Sequence, residues 1–163
     1  MPFEPGTQNQ IQAGAHANRN GDILSGIPGY YTKARHRKLV EWMRHNKPKT
    51  IINKPVWVVP HSIIDPQLAI RPFPTIFVSD ELPKWLRDTI VYHEFVETQK
   101  VEELGHKKAH EFAVEAEYRY LVVHKLLDKF LKSKYKGLVT QRERIWKKKG
   151  YKIPVRQEEV VGR

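Results

Sequence analysis

A glycine between two long stretches of helical periodicity sets the frame for this 163-residue chain. Upstream of Gly105, the residues Leu86, Ile90, His93, Glu97, Val101 and Leu104 recur at three- and four-residue intervals, which places them on one helix face. Pro83 suits the first turn of such a helix, where its missing N–H costs nothing, and Gly105 is a natural stop. From His106 to about Lys134 the spacing predicts a second helix. Its core side would carry Ala109, Phe112, Ala116, Val123, Leu127 and Phe130. Along the neighbouring edge run His110, Ala113, Glu117, Tyr120 and His124, continued by Asp128, while Glu115 points elsewhere. A short connection folds two helices back on each other, so residues equally far from the bend face one another. His93 lies twelve residues before Gly105 and Glu117 twelve after it, and His110 sits about one turn nearer the bend than Ala113, which faces Glu97. His93, Glu97, His110 and Glu117 are therefore expected to converge, with His106 too close to the turn to join them.

The upstream face is apolar at both ends and holds a carboxylate in its middle. A lone buried carboxylate is costly, so Glu97 demands a partner, either a metal ion or an arginine or lysine. Two imidazoles and two carboxylates make a transition-metal set suited to zinc, manganese or iron, with zinc foremost. The chain has no cysteine, which excludes disulfides, thiolate ligands and a thiol nucleophile, so one divalent ion would be held by His, Asp or Glu.

The run Tyr92-His93-Glu94-Phe95-Val96-Glu97 resembles the active-site helix of the zincin metallopeptidases, whose HExxH pattern holds zinc through two histidines and activates water through the glutamate. Thr75-Ile76-Phe77-Val78-Ser79-Asp80 looks like the edge strand beside that helix. In the thermolysin-like branch a glutamate about 24 residues after the first histidine is the third ligand, and Glu117 stands at that offset from His93. The resemblance covers about fifty of the 163 residues and implies His93 as a ligand, Glu94 as general base and Glu117 as third ligand. It departs from the family at the second histidine, which is Glu97 here. A glutamate can hold metal from that position, and His110 could restore the lost imidazole. With three of these ligands the site keeps an open position for water; with four it is closed and structural. Tyr92, Tyr120 or His124 could steady an oxyanion.

Elsewhere, residues 1 to 28 read as a flexible segment in which His16 is solvated, ending at the turn signal Gly26-Ile27-Pro28-Gly29. Residues 29–152 read as one α+β domain, a long helical hairpin packed on a small β-sheet in a zincin-like manner, and 153–163 as a tail. A basic helix is expected from Lys33 to His45 and a strand at Val56-Trp57-Val58-Val59, which Ile51-Ile52 could begin. Ile63 to Pro74, with three prolines, reads as an irregular connection, Thr75 to Ser79 as a second strand, and Gly137 to Gly150 as a short helix. His61 reads as a loop residue.

The formal charge of +11 and pI near 9.8 favour polyanionic partners. Arg142, Arg144, Lys147, Lys148 and Lys149, interleaved with Trp146 and Tyr151, could contact phosphates and stack on bases; equally, Ile145 and Trp146 could anchor a helix whose lysines stay in water. No run of eighteen apolar residues spans a membrane, and Met1-Pro2-Phe3-Glu4-Pro5 shows no charged-then-apolar leader, so the cytoplasm is the expected compartment. The sequence thus points first to a metallohydrolase acting on a peptide or protein, with water activated by Glu94. The competing expectation is a non-enzymatic nucleic-acid-binding protein with a structural metal or none, and a metal-dependent nuclease would use the same side chains.

Overall fold

Thr32 opens the first helix, α1 (Lys33–Arg44), by accepting a hydrogen bond from the Arg35 amide at 3.1 Å, which satisfies one of the free N–H groups of the first turn. The computed structural model describes residues 30–73 and 75–154; the expected flexible segment 1–28, His16, the Gly26–Gly29 turn, Pro74 and the tail beyond Pro154 lie outside them. Six helices and four strands occur among the described residues, a mixed α+β architecture.

Two short strands, β1 (Lys49–Ile51) and β2 (Lys54–Val59), form an antiparallel hairpin. Its two-residue turn holds Ile52 and Asn53 at φ 52° and 62°. Both φ values are positive, as the tightest hairpin turns require, and this is an uncommon demand on a β-branched isoleucine. Ile51 therefore belongs to a separate strand rather than beginning β2. After a one-turn helix, α2 (His61–Ile64), come β3 (Ala69–Phe73) and β4 (Thr75–Ser79), where an irregular connection was expected before the second strand.

The sheet order is β1-β2-β4-β3, with β2 parallel to β4 and β3 antiparallel to it. The Thr75–Ser79 segment, expected at the edge, lies inside the sheet, and β3 takes the edge in its place. The burial of β4 explains this: Ile76, Phe77, Val78 and Ser79 are all buried, as in a strand covered on both faces. Alternation sends Ile76 and Val78 into one apolar cluster and Phe77 into the other. The Phe77 cluster gathers Leu39 and Met43 of α1, Ile64, Ile70, Tyr30 and Tyr31. The Ile76 and Val78 cluster is the larger one, and it belongs to the helical hairpin.

That hairpin joins α3 (Lys84–Leu104) to α4 (His106–Val123) through Gly105 at φ 80°. Ala109, Ala113 and Ala116 are buried on α4, and their small side chains let the two backbones approach. The second helix ends at Val123, earlier than its periodicity suggested. Lys125 adopts the left-handed conformation at φ 58°, and α5 (Leu127–Leu131) follows as a separate piece. Val123, expected in the core, is 74% exposed at this break.

The final helix, α6 (Lys136–Lys148), buries Val139, Arg142 and Trp146 against the hairpin. Trp146 is fully buried, donates from its indole N–H to the Val114 carbonyl at 2.7 Å, and packs on Phe130. It is an anchor and is closed to nucleobases. No helix among the described residues is long and apolar enough to cross a membrane.

Candidate metal centre

Helical spacing and the bend at Gly105 bring the expected cluster together. From α3, the i, i+4 pair His93 and Glu97 points inward, with 2% and 1% of their surfaces exposed. From α4, His110 reaches the same carboxylate. Glu97 Oε1 stands 3.0 Å from His93 Nε2 and 3.1 Å from His110 Nδ1. One carboxylate oxygen thus bridges two imidazole nitrogens, and the three side chains offer ligand atoms within 4.8 Å of one another, close enough to hold a metal ion.

Glu117 is also buried, yet it takes a different place from the expected one. Its Oε1 is 3.0 Å from His93 Nδ1, on the side of the ring away from Glu97. The contact is a close ion pair set out of line for a hydrogen bond, and neither atom has another partner among the described residues. Glu117 therefore orients His93 from behind, as carboxylates do for metal-binding imidazoles. Its other oxygen accepts a hydrogen bond from Arg142 Nε at 3.0 Å.

Two arginines complete the centre. Arg71 shares the hairpin-facing side of β3 with Ala69, next to a register shift between Ile70 and Phe73. It is 6% exposed and places an NH2 group 3.2 Å from Glu97 Oε2, with its Nε 3.5 Å from Glu94 Oε1. Arg142, expected on a nucleic-acid surface, points inward from α6 and is buried at the Glu117 carboxylate. Sequence spacing carried no sign of Arg71, because strand position is not encoded in helical periodicity. The only available signal was that buried carboxylates require cations.

Glu94 borders the ligand atoms, with Oε2 3.9 Å from His93 Nε2. It is 8% exposed, and its Oε1 lacks a well-aligned hydrogen-bond donor among the described residues. Together with Glu97, His93 and His110 it lines a cavity of about 420 Å³ whose mouth is formed by the β3 approach and α6. The three oxyanion candidates are elsewhere. Tyr92 stacks on Tyr120 at 4.8 Å, Tyr120 meets His124 in a tilted contact at 4.2 Å, and none of the three lines this cavity. His61 is outside it too, hydrogen-bonded to Ser79 and Asp65. Arg144, Lys147, Lys148 and Lys149 are exposed on and after the last turns of α6.

Electrostatics follow the contacts. Burial and the Arg142 charge push the His93 pKa down, but its contacts with Glu117 and Glu97 prevail and raise it to about 9. Burial favours neutral Glu97, yet bonds from His110 and His93 hold its carboxyl well below the usual range. Burial likewise opposes the Glu117 charge, and Arg142 together with His93 keeps it ionised. Glu94 differs: burial raises its pKa, and Arg71 only partly offsets this.

The metal-free chain is accordingly expected to lose stability as pH rises. His93 has a folded pKa near 9, above its ordinary value of 6.5, so its contribution is complete below pH 6.5 and disappears through pH 9. Raised Glu94 acts in the same direction above its ordinary value of 4.5. Urea midpoints measured in chelator at pH 6 and pH 9.5 should fall between the two; a rise would contradict the protonation of His93. Comparison with protein-family models, curated proteins and solved structures finds no match to this chain.

Proposed function

We propose that the chain is a zinc-dependent hydrolase of amide bonds, a peptidase-like activity in a zincin-like arrangement. The observation that carries this reading is the convergence of His93 Nε2, Glu97 Oε1 and His110 Nδ1 on the floor of an open cavity, with the Glu94 carboxyl beside them. Two imidazoles and one carboxylate suit zinc, and three protein ligands leave a fourth position for water. Zinc supplies Lewis acidity, which brings water's pKa toward neutrality and polarises a carbonyl.

The remaining work falls to side chains of this chain. Glu94 takes a proton from the attacking water as its oxygen bonds to the acyl carbon. The C–N bond then breaks, and the proton held by Glu94 passes to the departing amine. Arg71, a buried cation 3.5 Å from Glu94 Oε1 and 3.2 Å from Glu97 Oε2, holds both carboxylates in place around the ligand atoms. Glu117, held by Arg142, fixes the His93 ring. The test uses the full chain, stripped with chelator and given one equivalent of zinc, against a panel of acyl amides and short peptides. Hydrolysis should appear with zinc and disappear with chelator. A chain that holds zinc but is inert across the panel has a structural site instead.

A second reading draws on Arg144, Lys147, Lys148 and Lys149, which expose positive charge around the end of α6. Under it the chain binds nucleic acid through phosphates. Affinity for duplex DNA would then fall linearly on a log–log plot against salt, and Lys148→Ala would reduce the slope by about 1. An unchanged slope would remove Lys148 from the interface.

A further inference from the structure

The cavity above the candidate centre has a polar, cationic mouth that the hydrolytic reading does not use. Gln67, just before β3, is only 9% exposed and lines the cavity, and its side-chain amide makes no hydrogen bond among the described residues. The amide is not sealed from solvent, so its donor and acceptor stay available to a molecule that enters the cavity. Across the mouth, α6 contributes Gln141 and Arg144. Gln141 uses its carbonyl oxygen to accept from Arg142 at 2.7 Å, which leaves its NH2 group for another acceptor. Arg144 is exposed and forms no ion pair among the described residues. Between mouth and floor the walls are apolar, from Leu68, Ile90 and Leu138.

Charge points the same way. Around the centre the two carboxylates held ionised (Glu97 and Glu117) stand against the two buried guanidinium groups (Arg71 and Arg142), and they cancel, with the exposed Arg144 beyond them. A divalent cation leaves two positive charges uncompensated, in a site where buried walls weaken screening. A cavity of about 420 Å³ admits a small molecule or the end of a short peptide.

Resting on the metal reading above, we infer that the substrate is a small acyl amide carrying an anionic group, a carboxylate or a phosphate, bound at the mouth by Arg144, Gln141 and Gln67. The anion pairs with the free guanidinium, and the two amides donate to its remaining oxygens. The apolar walls hold the intervening chain, and the amide carbonyl reaches the floor.

Three hydroxamates test this on the full zinc-loaded chain by calorimetry. They share a zinc-binding head and a short alkyl chain, and end in methyl, carboxylate or phosphonate. One anionic probe is expected to bind about tenfold more tightly than the methyl probe, as befits a charge-assisted hydrogen bond. The better of the two identifies carboxylate or phosphate as the natural group. Arg144→Ala should reduce the preference to less than about twofold, Gln67→Leu should weaken the anionic probes more than the methyl probe, and Lys148→Ala should change nothing. Equal binding of all three probes overturns the anion site and leaves the metal reading standing. A preference that survives Arg144→Ala, or vanishes equally in Lys148→Ala, overturns the assignment to the mouth. Failure of every probe to bind overturns the metal reading, and this inference with it.

Discussion

Glu94→Gln is expected to lower the zinc-dependent hydrolysis rate by about a hundred- to ten-thousand-fold while zinc content stays at the wild-type level. Glutamine keeps the shape of the side chain and keeps an oxygen or amide group beside Arg71, whose Nε is 3.5 Å from Glu94 Oε1. What it cannot do is take a proton. The carboxyl is suited to the role because burial raises its pKa and so strengthens its basicity, a rise that the Arg71 charge partly offsets. It is also separable from the ligand set, since the three converging ligand atoms come from His93, Glu97 and His110. Elemental analysis and rate measurements on the same preparation provide the check. Retained activity would assign the base elsewhere, and lost zinc would make Glu94 a ligand.

Arg142→Ala is the substitution with the largest expected effect on stability. Arg142 is 6% exposed, Glu117 is 1% exposed, and their bond of 3.0 Å supplies the carboxylate with its main compensating charge. Removing one member of a buried pair leaves the other charged and unpaired, at a cost of about 3–5 kcal/mol. For a chain of this length that corresponds to a melting temperature lower by roughly 10 °C. Glu117 then has only His93, so the ring also loses its anchor. Adding Glu117→Gln to Arg142→Ala removes the stranded charge and should recover part of the loss. Denaturant titration of the single and double variants decides the matter. An Arg142→Ala chain within about 0.5 kcal/mol of wild type would show that the pair has no structural weight.

Helical periodicity carried the hairpin and most of the site within it. The bend at Gly105, the inward faces of His93 and Glu97, and the approach of His110 and Glu117 all follow from residue spacing, because i, i+4 geometry is local. What was not legible came from long-range contacts. Arg71 reaches the centre from a strand that proline content had suggested was irregular, and its position depends on β3 pairing with β4. Composition groups Arg142 with its basic neighbours, although Val139, Arg142 and Trp146 form the buried stripe of α6 at helical spacing. A carboxylate on an apolar helix face calls for a cation, but helical spacing does not choose between a metal and an arginine. The fold uses an arginine on one oxygen of Glu97 and two imidazoles on the other. Glu117 has the offset of a ligand, yet side-chain direction places it behind His93, a distinction that offset alone cannot make.

The most direct test is metal content. The full chain, purified without a metal-affinity column, stripped with chelator, incubated with zinc and then dialysed, should retain about one zinc per molecule. His93→Ala should retain almost none, and Lys148→Ala should match wild type. Wild-type chain that emerges from dialysis without zinc, or His93→Ala that holds as much as wild type, would mean that His93, Glu97 and His110 form an internal polar network and no metal site.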